Sequence, residues 1–407
     1  MLDTSTSAAA ALPQPAPRVR LDYLDGLRGL AALYVVFHHA LMEIDFRYDG
    51  AGLPRPLVHA TSWLIYGQLA VDVFIVLSGY CLMMPVARSE NGVLRGGVRD
   101  FFLRRARRIL PPYFAAMIAC LLVIGLIPSV MHSASVRWPG VTNPFALSDL
   151  LSHVLLIHNL FRPWTWAIDY PMWSVASEWQ IYFLFPLVLL PLWRRFGSIA
   201  PILVGFAFGL ACYRWLPQID QACPHFVGLF ALGMGAAVVN FSSAAQPQRW
   251  RTQGHWGTLA IISALLAAVL CKVSFSWLHA QGLLTDALIG TATACFLVSA
   301  TRHLTDPDRF AMPGGLRLCA SRGAVLLGTF SYSLYLVHAP VLAIVHDLAA
   351  RFTLTPAGML LVLFAIGVPL AVAVAYLFYR LFERPFMPGH PRTEKQAAQS
   401  AVVSPAP

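Results

Sequence analysis

Charged side chains are scarce in this sequence. Asp, Glu, Lys and Arg together make up 12% of its 407 residues, whereas soluble globular proteins carry about 25%. Hydrophobic residues make up 57%, and the mean hydropathy is +0.63. This shortage of charge excludes an ordinary soluble domain, because the surface of such a domain is rich in charged groups. The composition therefore predicts a protein that crosses a membrane several times.

Paired cysteines and a leader peptide are two further features that we do not expect in this protein. No two of the seven cysteines form a Cys-x-x-Cys pair, and most lie inside apolar stretches. We therefore expect small buried hydrophobes rather than a disulfide framework or a metal site. Residues 1–20 lack the apolar core of about 7–15 residues that a signal peptide requires. Residues 1–20 and 388–407 are rich in Ala and Pro, and we expect both to be disordered tails.

Long apolar runs are what the sequence has in abundance. A helix needs about 20 mostly apolar residues to cross the hydrocarbon core of a bilayer. The runs predict an all-α membrane helix bundle of about ten transmembrane helices that occupies residues 21–387. The predicted spans lie near residues 26–44, 63–86, 109–128, 173–193, 198–215, 224–240, 257–273, 283–301, 324–346 and 358–380.

Basic residues indicate which way these spans run. If the N-terminus is cytoplasmic, 22 of the 29 Lys and Arg residues fall in cytoplasmic segments, as the positive-inside rule requires. We therefore expect both termini in the cytoplasm and the chain in the inner (plasma) membrane of the cell. The same rule accounts for the net charge of +10 without a nucleic-acid partner.

Residues 147–161 form an apolar run that is too short for a further span. Its apolar residues follow helical spacing, but Ser152, His153, His158 and Asn159 interrupt it. A span here would also move the basic residues of every later cytoplasmic segment to the outside, against the positive-inside rule. We predict an interfacial or re-entrant helix in a long external loop between the third and fourth spans.

Ionisable side chains inside membrane spans are costly, so each is a candidate for function. In the first span, Arg28 and His39 are eleven residues apart, which places them on one helix face and predicts one cavity that both face. Glu43 lies one turn beyond His39 and could orient its imidazole. The alternative for His39 is a hydrogen bond between helices, and that alternative is favoured for the neighbouring His38.

The second span and the entry to the third carry further charges. Asp72 in the second span is a candidate supporting residue, although it could also cap a kink or pair with an arginine. Arg105 and Arg108 lie on one helical face in an arginine-rich stretch before the third span. Guanidinium groups bind phosphate, while arginines at a helix entry can also be ordinary membrane anchors. The pair predicts a phosphate site at the cytoplasmic face.

Polar side chains of the later spans complete the set of candidates. Glu178 is the only acidic residue of the fourth span, which makes it a candidate for a catalytic or orienting role. In the ninth span, Ser331, Tyr335 and His338 recur on one side of the helix. They form either the supporting part of a site or a hydrogen-bonded packing face. After the tenth span, we expect Glu383 to pair with a cytoplasmic arginine.

Taken together, six stretches resemble the acyltransferase-3 family of membrane O-acyltransferases. They occur in the family's order and extend from about residue 21 to residue 387, which is nearly the whole chain. One such motif alone would be a weak signal, but six in sequence are specific. The stretches are LDGLRGLAALYVVFHHA, VDVFIVLSGY, RRARRILPPY, WSVASEWQIYFLFP, FSYSLYLVHAP and FERPF.

The resemblance implies transfer of an acyl group, usually acetyl from acetyl-CoA, to a hydroxyl of a cell-surface glycan or glycolipid. It implies that His39 is the catalytic histidine with Arg28 as its partner. It also implies that Arg105 and Arg108 bind acyl-CoA and that Glu178 is the acid of the family's Trp-Ser…Glu motif. No metal is implied.

Two departures from the family pattern bear on this expectation. Val175 stands where the family usually has leucine, which is a conservative change. No soluble hydrolase-like domain follows the last predicted span, so we expect the stand-alone form, in which any further processing needs a partner.

The mechanism and one other function class stay open at this point. His39 either deprotonates an acceptor hydroxyl that attacks acyl-CoA directly, or carries the acyl group itself. In direct transfer, Glu43, Asp72 or Glu178 would fix the tautomer of the imidazole. The other function class is a transporter or flippase for a glycolipid or small anion, which would use the same charges. The sequence has no internal repeat of the kind that many transporters show, and the motif series favours the enzyme.

Overall fold

The computed structural model of the chain describes residues 21–44, 52–127, 146–273 and 282–387. Both predicted tails, residues 1–20 and 388–407, lie outside the described residues. Every regular element in the described part is helical, which confirms the predicted all-α class.

Ten helices of 16 residues or more run through the described part of the chain. They are α1 (Tyr23–Met42), α2 (Gln68–Ala87), α3 (Gly97–Leu126), α4 (Met172–Phe196), α5 (Ile199–Trp215), α6 (Phe226–Phe241), α7 (Trp256–Val273), α8 (Gly282–Thr305), α9 (Ser331–Ala350) and α10 (Pro356–Phe386). Short helices and helical turns lie between them, at Arg55–Thr61, Ser62–Tyr66, Leu147–Val154, His158–Leu160, Arg162–Thr165, Pro217–Ala222, Ala245–Gln253, Leu316–Cys319 and Arg322–Thr329. The α4 helix contains a π-turn at Phe185–Leu189, and α10 contains π-turns at Leu363–Gly367 and Tyr379–Glu383.

Seven of the described helices are long and apolar enough to cross a membrane. They are α2, α3, α4, α6, α8, α9 and α10, with α2 and α6 extended by the short helices before them. An eighth appears if α7 is joined to the Ala245–Gln253 helix, across a bend of 70°. The α5 helix is apolar but has only 17 residues, and α1 carries Asp25, Arg28 and two histidines within its 20 residues. The chain is thus a multi-pass membrane protein, while the count of ten spans stays a prediction.

The centre of the bundle is the crossing of α2 and α6. A Cβ atom on Gly79 would lie 2.0 Å from the Phe230 carbonyl oxygen, and one on Gly233 would lie 2.0 Å from the Val76 carbonyl oxygen. Only glycine fits at both positions, since backbone meets backbone there, as at many membrane helix crossings. The α6 and α9 helices are mostly buried, whereas α3 and α10 present apolar side chains outward.

The Leu147–Val154 helix has its polar face turned inward. Asp149, Ser152 and His153 are buried, while leucines such as Leu147 and Leu151 are exposed. An apolar outer face suits contact with lipid. The placement of this helix at the membrane interface, or as a re-entrant segment, stays a prediction.

Candidate active site

A cavity of about 320 Å³ lies where α1, α2, α3, α4 and α9 meet. Six of the residues predicted from the sequence line it: Arg28, Arg105, Arg108, Glu178, Ser331 and Tyr335. Other polar groups at the wall are Ser78, Cys81, Ser174, Tyr182 and Tyr332. The rest of the lining is aliphatic and aromatic, so the charges stand in surroundings of low polarity.

The arginines of α3 divide between two faces of the helix. Arg105 and Arg108 are half-buried and reach the cavity, whereas Arg104 and Arg107 are exposed. The Nε atom of Arg105 is buried without a hydrogen-bond partner among the described residues. The positive charges of Arg28 and Arg105 are close enough to Arg108 to repel its own charge. Three guanidinium groups therefore converge on one cavity, which suits an anionic ligand.

Arg28 is held in place by two contacts. Its Nη1 atom donates to Asp25 Oδ1 at 3.0 Å, one turn earlier on α1. Its Nη2 atom donates to the Cys81 sulfur at 3.0 Å. We expected each cysteine to be a small buried hydrophobe, but Cys81 is half-buried and contacts a charged group. No spacing along the chain indicates this contact, because it joins α1 to α2.

Glu178 is the only carboxylate in the lining of the cavity. Tyr182, one turn further along α4, donates to Glu178 Oε1 at 2.5 Å. The Tyr182 hydroxyl also lies 3.1 Å from the Ser78 hydroxyl of α2. Glu178 also attracts the positively charged Arg28 across the cavity. The spacing of four residues could have identified Tyr182 from the sequence, since such pairs meet on a helix surface.

Glu383, in the last π-turn of α10, is buried beside α9. It accepts hydrogen bonds from the backbone N–H (3.2 Å) and the hydroxyl of Ser333. Arg108 is the arginine that acts on it by charge. The closing motif of the chain therefore reaches the arginines of the cavity.

His39 and His338 form a pair next to the cavity. His39 Nδ1 lies 2.7 Å from His338 Nε2, and the two rings are nearly parallel. His338 Nδ1 lies 3.0 Å from the Leu334 carbonyl oxygen. Tyr335, which lines the cavity and bonds to the Ser174 hydroxyl at 2.6 Å, packs with its ring 6.0 Å from that of His338. The side chains of Tyr335 and His338 thus connect the cavity to His39.

The hydrogen bonds of this pair determine its tautomers. A carbonyl oxygen can only accept, so His338 Nδ1 must donate to Leu334. In neutral His338, Nε2 then carries the lone pair and accepts from His39 Nδ1–H. The lone pair of neutral His39 is consequently at Nε2. An imidazole in that state can remove a proton or attack a carbonyl carbon.

Three expectations for His39 need correction. It is not part of the lining that holds Arg28; its ring packs on His338, which in turn packs beside the lining residue Tyr335. The hydrogen bond at its Nδ1 runs to an imidazole rather than to Glu43, Asp72 or Glu178, since α9 packs against α1 and brings His338 there. Asp72 is turned away from the cavity and lies beside Asp286 of α8.

The other two candidates of the first span are Glu43 and His38. Glu43 is buried one turn beyond His39, and its role as a supporting residue stays a prediction. His38 Nδ1 lies 2.7 Å from the Leu64 carbonyl oxygen, to which it donates. The tight approach of Gly67 to the His38 ring shows that His38 holds two chain segments together, as favoured from the sequence.

The segment before α4 covers His39 from the side. Tyr170 packs edge-on against His39 with ring centroids 4.7 Å apart. The rings of His153 and His158 are buried and stacked at 3.9 Å. Burial lowers the pKa of His153 to about 4 and that of His158 well below the usual 6.5. Burial likewise raises the pKa of Asp169 well above its usual range, so these three buried side chains are packed in their neutral forms.

Comparisons with known proteins point to one family. A family model described as an acyltransferase domain matches residues 21–380. A Staphylococcus aureus (strain COL) protein named as an O-acetyltransferase is 24% identical over 386 residues, which cover 89% of this chain and 56% of that protein. A Bacillus subtilis (strain 168) protein named as the peptidoglycan O-acetyltransferase YrhL is 24% identical over 341 residues, which cover 79% of this chain and 48% of that protein.

A shorter relative matches over almost its whole length. The acyltransferase MdmB of Streptomyces mycarofaciens is 27% identical over 408 residues, which cover 91% of this chain and 93% of that protein. The chain thus spans about half the length of the Staphylococcus and Bacillus relatives and nearly all of MdmB. No solved structure matches the chain.

Proposed function

Because a family model covers most of its length, the chain belongs to the acyltransferase-3 family, and we propose that it is a membrane-bound O-acyltransferase that moves an acetyl group from acetyl-CoA to a hydroxyl of a cell-surface glycan or glycolipid. Acyl transfer is the activity of the family and of the named relatives. The observation that carries the proposal is the cavity with three arginines next to the His39–His338 pair.

The cavity suits the charged end of an acyl-CoA donor. Its lining holds three arginines and one carboxylate, so it has an excess of positive charge. Guanidinium groups bind phosphate oxygens in a two-pronged geometry, and coenzyme A carries several phosphates. In the predicted orientation, Arg105 and Arg108 lie near the cytoplasmic face, where acyl-CoA is found. Arg28 would then line the path of the pantetheine arm toward His39.

His39 is the base of the proposed reaction. An acceptor hydroxyl loses its proton to His39 Nε2 as its oxygen attacks the thioester carbonyl carbon. A C–O bond forms, the C–S bond breaks, and the proton passes from His39 to the leaving CoA thiolate. A positioned base of this kind contributes roughly 10²–10⁴-fold. His338 is a positioning residue, because its Nε2 atom holds His39 in the reactive tautomer.

The acceptor would approach His39 from the side that Tyr170 covers. In the predicted orientation this is the external side, and both termini are cytoplasmic in the plasma membrane. A peptidoglycan O-acetyltransferase among the named relatives supports a polysaccharide acceptor. The wall of residues 146–171 would then select among acceptors.

The proposal is tested with the purified protein and acetyl-CoA labelled in the acetyl group. The wild type should consume the donor when a glycan acceptor is present, and His39→Ala should not, although it inserts and folds normally. A fully active His39→Ala variant would remove the proposed base. A wild-type protein that binds or moves the glycan without consuming acetyl-CoA would instead be a transporter.

A second experiment tests the donor site. Arg105→Gln and Arg108→Gln should each raise the KM for acetyl-CoA by about tenfold or more, because a charge-assisted hydrogen bond contributes roughly 1.5–3 kcal/mol. Arg104→Gln is the matched control, since this arginine of the same helix is exposed and outside the cavity. An equal KM in all three variants would contradict the phosphate role.

A rapid initial release of CoA decides between the two mechanisms. Direct transfer releases CoA only as product forms. An acyl group carried on His39 would instead give a burst of CoA before any acetylated product appears.

A further inference from the structure

A chain of buried polar groups lies outside the cavity, between the ends of α2, α5, α6 and α8. The Tyr213 hydroxyl is 2.6 Å from His225 Nδ1. His225 Nε2 is 2.8 Å from Asp286 Oδ2. Asp72 lies beside Asp286. His225, Asp286 and Asp72 are each at most 3% exposed, and the proposed acyl transfer uses none of these contacts.

In this series of buried polar groups, each hydrogen bond has a defined donor and acceptor. A carboxylate accepts, so His225 Nε2 donates to Asp286. In the neutral imidazole, Nδ1 then accepts from the Tyr213 O–H. The Tyr213 hydroxyl thus donates to His225, and His225 donates to Asp286. The carboxylate of Asp286 is stabilised by this last hydrogen bond.

Asp72, in contrast, has no hydrogen bond within the described part of the chain that would stabilise a negative charge. Its side chain is fully buried, and neither carboxylate oxygen has a hydrogen-bond partner among the described residues. An ionised carboxylate in that position would be an unpaired buried charge next to a second negative charge, which proteins avoid. A protonated Asp72 removes both problems, since it carries no charge and can donate its proton to Asp286.

Neighbours in the described part of the chain add no cation to the two carboxyls. They are Cys223 on the turn before α6, with Asp220 beyond it, and Cys271 on α7. All three are neutral or negative. Within the described part of the chain, no group of three or more His, Cys, Asp and Glu side chains is arranged to hold a metal ion.

From these observations, we propose that Asp72 and Asp286 form a binding site for a single proton, which Asp72 carries and donates to the carboxylate of Asp286. The site lies at the predicted outer ends of α2, α6 and α8. Loss of the proton would place two negative charges together and push α2 away from α8. The opposite face of α2 lines the cavity through Phe74, Ser78 and Cys81, so the site lets outer pH act on the bundle.

A carbodiimide tests the site without any assay of acyl transfer. Dicyclohexylcarbodiimide dissolves in the membrane and adds to protonated carboxyl groups, leaving a stable N-acylurea that mass spectrometry locates. The full-length protein in detergent should be modified at Asp72. The rate should fall about tenfold for each pH unit above the titration midpoint, as the protonated fraction does. Modification of other carboxyls only, with Asp72 untouched, would overturn the proposal.

Variants separate the roles of the two carboxyls. Asp286→Asn should still be modified at Asp72, because that residue stays buried and protonated. Asp308→Asn, an exposed residue, is the control and should leave the modification unchanged. If Na⁺ blocks the modification at constant ionic strength while choline does not, the ligand is a sodium ion and the proton assignment is wrong.

The melting temperature gives a second and independent readout. The wild type should melt at lower temperature as pH rises through loss of the shared proton. Asp72→Asn should show no such fall, because an amide N–H donates to Asp286 as the protonated acid does. Parallel falls in both proteins would contradict the site, whether or not the protein transfers acetyl groups.

Discussion

Replacing His338 by leucine tests whether this residue acts through His39. Leucine fills much of the same buried volume but offers no acceptor to His39 Nδ1, which now bonds to His338 at 2.7 Å. A neutral hydrogen bond contributes about 0.5–1.5 kcal/mol. Its loss makes the two tautomers of His39 similar in energy and frees the ring to turn. We expect turnover to fall about two- to tenfold, less than the 10²–10⁴-fold that removal of the base itself would cost.

The assay is steady-state transfer of labelled acetyl to a glycan acceptor, with kcat and the KM for acetyl-CoA measured separately. The KM should change little, because His338 lies outside the arginine cavity. His338→Gln is the rescue variant, since its amide oxygen can reach the position of Nε2 and accept from His39. It should recover most of the activity that the leucine variant loses.

Two results would refute this reasoning. Full activity of the leucine variant would show that His39 needs no acceptor at Nδ1. Equal losses in the leucine and glutamine variants, both correctly folded, would show that His338 matters only for packing.

Three further predictions concern other buried groups. Tyr182→Phe removes the hydrogen bond to Glu178 and should lower kcat several-fold, whereas thermal unfolding in detergent should change little. Burial lowers the pKa of His153 to about 4, so stability should fall as pH drops from about 6.5 toward 4, by up to roughly 3 kcal/mol; His153→Phe should melt with a weaker pH dependence. Glu383→Gln keeps one acceptor for Ser333 but removes the charge that faces Arg108, and it should lower the melting temperature.

Residue spacing along one helix was enough to predict which of its side chains share a face. The interval between Arg105 and Arg108 predicted a shared face, and the structure places both at the cavity with Arg104 and Arg107 outside. Helical periodicity determines this outcome, because residues three apart lie on one side whatever the helix packs against. Composition and apolar run length predicted the all-helical membrane class. They reflect the demands of the bilayer as a solvent, and these do not depend on how the helices pack.

Residue spacing could not predict contacts between side chains of two different helices. The contact of Arg28 with Cys81 joins α1 to α2, and that of His39 with His338 joins α1 to α9. Asp72 was expected to support His39, but the rotation of α2 against α6 and α8 turns it toward Asp286. Helix rotation follows from packing across the whole bundle, which a single segment does not contain.

The sequence by itself determined a helical membrane protein, its family, and the side chains able to carry acyl-transfer chemistry. Each of these depends on residue type and on order along one chain. The tertiary structure alone decided which of those side chains share a cavity, which imidazole holds His39, and which carboxyl is left without a partner. Those pairings depend on the approach of glycine-lined helices such as α2 and α6, where a shift of one residue would turn a helix by about 100° and bring other side chains into the contact.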